Sequence, residues 1–323
     1  MTLCMHEKLA GMKLLKNKRS FFTLLVLILW NTGQAQVRYD SLIFSNDSTK
    51  RIKVMCYPYK EHTLIFQKPK HFGFITGIPK TFSHAARETF NKKSLPALSV
   101  IAVSTLLLVA VDQPIMDGFN QFSRYINLNP NREYKTIIGF RLGSMPVNVY
   151  EAPLNLNTAL YSIGEGSTSV AIAAGLFIFG KVKNDYRALQ TSSQLMQSLL
   201  AVGVTTQVVK RISGRESPFV ATAPGGKWRP LTNPGVYQKS VPHYDAFPSG
   251  HLATMMTTLV IVSDNYPEKR WIKPVGYSLI TLVGLAMVNN RVHWASDYPL
   301  ALGIGYVCGK VTVKMNRWVR KIS

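Results

Sequence analysis

Apolar residues fall in blocks along this chain, and from residue 95 onward six blocks have helical length. They run near 95–111, 165–182, 188–209, 250–264, 272–288 and 298–314. Such runs predict helices buried in a bundle or in a membrane. Several carry Ser, Thr, Gln and Gly, and most are marginal against the ~20 apolar residues a span needs. The stretch 113–157 between the first two reads as amphipathic and loop-rich. Residues 36–90 are mixed and polar, with Pro58, Pro69 and Pro79 and no helical period, and they predict an irregular N-terminal extension. The pattern therefore predicts an all-α fold, a six-helix bundle that is membrane-embedded or membrane-associated.

The N-terminus has its own pattern. Residues 12–35 give a basic stretch, an apolar run of about ten residues from Phe21 to Trp30, and small residues at Gly33 and Ala35. That order predicts a cleavable secretory signal starting at Met12 and cut after Ala35. An uncleaved anchor is the alternative, although the run is short for a span.

Composition sharpens this picture. Hydrophobic residues make up 46% of the chain and charged residues 17%, below the ~25% usual for a soluble domain. The net charge is +22, which favours anionic partners: lipid headgroups, phosphorylated substrates or nucleic acid. No basic helix with base-reading residues and no aromatic stacking repeat occurs, which argues against nucleic acid. The three cysteines, Cys4, Cys56 and Cys308, form no metal-ligand spacing and no disulfide framework.

Loop charge bears on orientation. Basic residues collect before the first apolar segment, between the second and third, between the fourth and fifth, and at the C-terminus. Six full spans would put all four groups on one side, which the positive-inside rule makes cytoplasmic. A cleaved signal would instead leave the mature N-terminus outside, so six full spans and a cleaved signal are incompatible.

Three short motifs sit at helix boundaries. Lys210-Arg211-Ile212-Ser213-Gly214-Arg215-Glu216-Ser217-Pro218 ends the third segment with cations beside a Gly–Pro turn, a grouping able to clamp an oxyanion. Phe247-Pro248-Ser249-Gly250-His251 opens the fourth, with Ser249 as a cap and Gly250 giving an anion access to the first-turn N–H groups. Asn289-Asn290-Arg291-Val292-His293-Trp294-Ala295-Ser296-Asp297 precedes the sixth, with His293 and Asp297 four residues apart. A carboxylate on one imidazole nitrogen fixes the tautomer and frees the other nitrogen. Taken singly, each motif also reads as an ordinary helix cap or ion pair. In a six-helix bundle, however, all three boundaries fall at one end.

On these residues the chain, over roughly 95–315, resembles the type 2 phosphatidic acid phosphatase superfamily, which includes bacterial acid phosphatases and vanadium haloperoxidases. The family pattern is Lys, six residues, Arg-Pro; then Pro-Ser-Gly-His; then Ser-Arg, five residues, His, three residues, Asp. Lys210, Pro218, Pro248, Ser249, Gly250, His251, His293 and Asp297 fall on it. The resemblance implies a phosphatase domain over 91–316, followed by a basic tail at 317–323. His293 would be the nucleophile that becomes a phosphohistidine, oriented by Asp297, and His251 the acid. Lys210, Ser249 and the Gly250 N–H would hold the phosphoryl oxygens. No metal or cofactor is implied, the reading that follows is of a lipid phosphate substrate at a bacterial cell envelope, and the loop charges place the motif loops on the periplasmic side.

Two positions depart from the pattern. Ser217 stands where the first motif has Arg, and Ala286-Met287 stands where the third has Ser-Arg. Losing a charged phosphate contact costs several kcal/mol of transition-state stabilisation when nothing replaces it. Arg215 and Arg291 are the substitutes that sequence position suggests. A weakened or inactive relative that binds anionic lipid is the alternative function.

Overall fold

The computed structural model describes residues 39–44, 51–143 and 145–321. The predicted signal segment lies outside them. Helices dominate, and all six apolar segments become helices, five of them within a few residues of their expected bounds. They are α3 (Leu95–Tyr125), α5 (Gly166–Val182), α6 (Tyr186–Ser213), α8 (Gly250–Asn265), α9 (Ile272–Asn289) and α10 (Tyr298–Asn316), with shorter helices α1 (Gly73–Thr76), α2 (Ile78–Thr89), α4 (Leu156–Ile163) and α7 (Pro234–Lys239). The exception is α3, which runs on past its apolar block to Tyr125, with Asp112, Asn120 and Ser123 on its buried side. Local chemistry sets several starts: the side chains of Asn155, Asp185 and Ser249 accept the N–H groups of Thr158, Ala188 and Leu252.

The chain is not all-α. The extension predicted to be irregular forms strands β1 (Tyr39–Phe44), β2 (Arg51–Tyr59) and β3 (His62–Gln67), and α2 follows them. The basic tail supplies β6 (Trp318–Lys321), giving an antiparallel sheet of order β1-β2-β3-β6. Val54, Met55, Leu64 and Phe66 are buried in it. Pro58 is tolerated in β2 because the pairing with β1 stops at Cys56. Between α3 and α4, where loops were expected, β4 (Tyr134–Leu142) and β5 (Met145–Pro153) form a separate hairpin.

Helices α6, α8 and α10 form the centre. Gln190, Thr191, Gln194, Gln197 and Ser198 of α6 are all buried and polar. Several are satisfied across helices, as in Ser198 with Thr257 (2.8 Å) and Gln197 with Thr81 (2.8 Å). Helices α8 and α10 approach closely because α10 presents Gly305 and Gly309, where a Cβ would lie 2.3 Å from the Ala253 carbonyl and 2.9 Å from Val260. The outer helices are apolar and exposed, with Val100, Leu106, Phe177, Ile178 and Leu282 on the surface. Lys92–Tyr125 and Ile272–Asn289 are long and apolar enough to cross a membrane, and α4 with α5, bent by 58°, passes the same test as a pair. Among the described residues the six segments are thus not six equal spans, because the central helices are too polar.

Candidate active site

The three motif-bearing boundaries meet at one end of the helical core. Helix α6 ends at Gly214, whose φ of +56° is needed for the turn, since a Cβ there would lie 1.8 Å from the Arg229 carbonyl oxygen. The Ser213 hydroxyl reaches the Phe247 carbonyl at 2.8 Å, tying the first motif to the second. The Ser249 N–H donates to the Asp297 carbonyl at 3.1 Å, tying the second to the third.

His293 is buried, and its Nδ1 lies 2.7 Å from the Ala246 carbonyl oxygen and 3.3 Å from Asp297 Oδ2. A carbonyl only accepts, so Nδ1 carries the proton and Nε2 keeps its lone pair. The shorter hold on the ring is therefore the backbone carbonyl, with the carboxylate beside it. Asp297 is fixed in turn: Oδ2 accepts the Trp294 N–H at 2.8 Å and Oδ1 accepts Arg215 Nη1 at 2.7 Å.

Facing this ring is His251, with centroids 6.1 Å apart and planes at 71°. Its other neighbour is Tyr161 of α4, whose ring centroid is 4.7 Å away. Burial is the largest cause of the His251 pKa falling to about 3, and the cations Lys210 and Arg132 add to it. The N–H groups of Gly250 and His251 have no acceptor among the described residues, and a Cβ at Gly250 would meet open space. That leaves the first turn of α8 free to receive an anion. Lys210 is buried with its Nζ 3.0 Å from Asp245 Oδ2.

The two arginines chosen from sequence position lie elsewhere. Arg215 is fully buried behind Asp297, paired to Asp112 at 2.6 Å and Asp297 at 2.7 Å, with the Gly225 carbonyl and Ser296 as further partners and Trp228 and Trp294 against its plane. Arg291 is exposed at φ +53°, and its Nε points to Asn120 Oδ1 at 3.4 Å. It lines a cavity of about 550 Å³ with Trp294, Met116 and Thr222, and neither His251 nor His293 borders that cavity. At the departure positions, Met287 Sδ sits 3.7 Å from the Ser249 hydroxyl and Ser217 is buried.

Asp112, Arg132, Tyr161 and Asp245 were not singled out in the sequence. Asp112 was findable as an acid at the edge of an apolar helix. The others had no local signal. Glu216, inside the first motif, organises the loop after α6. Its burial favours the neutral form, but the N–H groups of Thr222 and Lys227 and the Arg229 guanidinium at 2.7 Å outweigh that and hold its pKa at about 2.

The family model of the PAP2 superfamily matches residues 193–321. The match begins inside α6 and ends on β6, so it contains all three motifs, while Asp112, Arg132 and Tyr161 precede it. Over 68 residues the chain is 28% identical to a lipid A 1-phosphatase of Porphyromonas gingivalis, covering 21% of this chain and 15% of that protein's length. Aquifex aeolicus LpxE is similar at 21% identity and TM-score 0.37, over 49% of this chain and 83% of LpxE. The first transmembrane PAP2 type phosphatidylglycerolphosphate phosphatase from Bacillus subtilis is similar at 17% identity and TM-score 0.36, over 67% of this chain and 94% of that one.

Proposed function

We propose that this chain is a metal-independent phosphatase that hydrolyses a phosphomonoester or diphosphate of a lipid at the bacterial cell envelope. The observation that carries the reading is the histidine pair: His293 is pinned through Nδ1–H with Nε2 free, and His251 faces it at 6.1 Å beside the open start of α8. In the proposed reaction His251 takes up a proton as the phosphate binds, Nε2 of His293 attacks phosphorus, the bond to the lipid oxygen breaks, and His251 gives that proton to the leaving oxygen. Water then attacks the phosphohistidine, His251 takes the water's proton, and the P–N bond breaks to release phosphate. Lys210, the Gly250 N–H and Ser249 stabilise the charge on the phosphoryl oxygens. Asp297 offsets the positive charge on the phosphorylated imidazole, and Arg215 holds Asp297 in place rather than contacting phosphate.

Membrane association and a site at the periplasmic face belong to the same proposal. The exposed apolar helices α3 and α9 support the first. The deciding experiment is phosphate release from phosphatidic acid, phosphatidylglycerol phosphate, a polyprenyl diphosphate and a lipid A phosphate, with wild type and His293→Ala. The variant is expected to lose more than a hundredfold, above ~2.7 kcal/mol. Retention of more than about a hundredth of wild-type turnover would overturn the assignment, and strong inhibition by EDTA would overturn metal independence.

A second reading, an inactive binder of anionic lipid, draws on uncharged Ser217 and on Met287 packed against Ser249. It predicts no release from any substrate together with intact co-sedimentation on anionic vesicles.

A further inference from the structure

We propose that Arg132 is the cation that clamps the reacting phosphoryl group, delivered from the loop before the β4–β5 hairpin in place of the arginines absent at 217 and 287. This rests on the phosphatase reading. Arg132 lies outside the residues that match the family and comes from a different part of the chain than any of the three motifs.

The geometry places its guanidinium against Tyr161, the ring that packs on His251. Arg132 Cζ lies 5.4 Å from the centroid of Tyr161, the ring that contacts His251, and Nη1 reaches the Tyr161 hydroxyl at a long 3.5 Å. On its other side it lies 6.0 Å from the Phe219 centroid, and Phe219 is two residues beyond Ser217. The guanidinium therefore stands between Tyr161 of α4 and Phe219, which follows the position that lacks its arginine by two residues. Its charge acts on His251 together with that of Lys210.

What separates Arg132 from the other cations here is that it is uncommitted. Lys210 is paired with Asp245, Arg215 with Asp112 and Asp297, and Arg229 with Glu216, while Arg132 has no carboxylate partner among the described residues. An exposed guanidinium with no counter-ion keeps its fork of donors for an incoming phosphoryl group. The aromatic faces orient it, and apart from the long Nη1 contact to the Tyr161 hydroxyl they leave its donors free.

The backbone beneath it is fixed. The Asn131 carbonyl accepts from Asn155 Nδ2 at 3.0 Å and from the Thr158 hydroxyl at 3.3 Å, and the Glu133 N–H donates to the Thr158 hydroxyl at 3.1 Å. Both neighbours of Arg132 are thus anchored to the first turn of α4, the helix that carries Tyr161. In this arrangement α4 sets two things at once: the ring against His251 and the base from which Arg132 reaches. A single long side chain on a fixed base is a workable replacement for a cation lost from another element.

The test measures orthovanadate binding by calorimetry and phosphate release from a lipid phosphomonoester, for wild type, Arg132→Met, Arg132→Lys and His293→Ala. Vanadate is the probe because it takes the geometry of the pentavalent transition state and its binding needs no turnover. Arg132→Met is expected to weaken vanadate at least tenfold and to lower kcat/KM by a similar factor, with the thermal midpoint unchanged. Arg132→Lys should recover part of both losses. Vanadate affinity unchanged in Arg132→Met overturns the proposal and leaves Arg132 as a surface cap on Tyr161 and Phe219, as does a wild type that binds no vanadate. Loss of vanadate binding in Arg132→Met, with no phosphate release by wild type, supports the clamp and removes the catalytic reading instead.

Discussion

Asp297 and Arg215 are joined so closely that their substitutions should give different phenotypes. Asp297→Asn leaves the Ala246 carbonyl holding His293 at 2.7 Å, so the nucleophile keeps its tautomer but loses the charge behind it. Phosphate release is expected to fall roughly ten- to a hundredfold without vanishing, as kcat/KM will show. Arg215→Met strands the buried carboxylates of Asp112 and Asp297. A loss of about 3–5 kcal/mol in a denaturant titration is expected. If Arg215→Met is as stable as wild type but inactive, Arg215 contacts phosphate after all. His251 carries a third prediction at this scale. Its pKa of about 3 results from burial first and then from cationic neighbours. A bound oxyanion offsets those neighbours, so it raises the pKa and couples anion binding to proton uptake in the window above about 3. An NMR titration of His251 with saturating tungstate should move its midpoint up by a unit or more, and a midpoint that stays put contradicts the proposed anion site. Much of this site was legible in the sequence, because His293, Asp297, Ser249 and His251 lie in short runs with a local signature. Arg132 and Tyr161 were not, since the fold brings them to His251 from far along the chain and nothing beside them in the sequence marks the meeting.

Among the elements, Gly214 carries the greatest local constraint. It ends α6, aims Arg215 inward and lies against the Arg229 backbone. Gly214→Ala must displace that backbone as well as hold a left-handed φ, and a loss of about 2–4 kcal/mol is expected by thermal or urea unfolding. A variant within roughly 0.5 kcal/mol of wild type, the range of neutral surface changes, contradicts this account of the turn. The helices were readable from apolar blocks and caps because those signals are local. The strands were not. In β2 the residues Val54 to Tyr57 form a buried run without alternation, and Pro58 argues against a strand. Along β4 nearly every position is exposed, so no inward face imposes a period of two. The pairing of β6 with β3 joins residues 62–65 to 318–321, a contact that no window of sequence contains.

For the whole molecule, the polar centre and apolar outer face indicate how the chain meets its surroundings. Helices α6, α8 and α10 bury glutamines and threonines against one another, while α3 and α9 expose leucines and valines. The protein is expected to remain in the membrane pellet after an alkaline carbonate wash, and its release into the supernatant would contradict the proposed embedding. The central claim is that His293 forms a covalent bond to phosphorus, and the most direct measurement is rapid acid-free quenching of the protein with a radiolabelled lipid phosphate, followed by peptide mapping. The account predicts an acid-labile, alkali-stable label on the peptide containing His293, lost in His293→Ala and accumulated when hydrolysis of the intermediate is slowed. Phosphate release at full rate with no label on that peptide, or with the label on another residue, would contradict it.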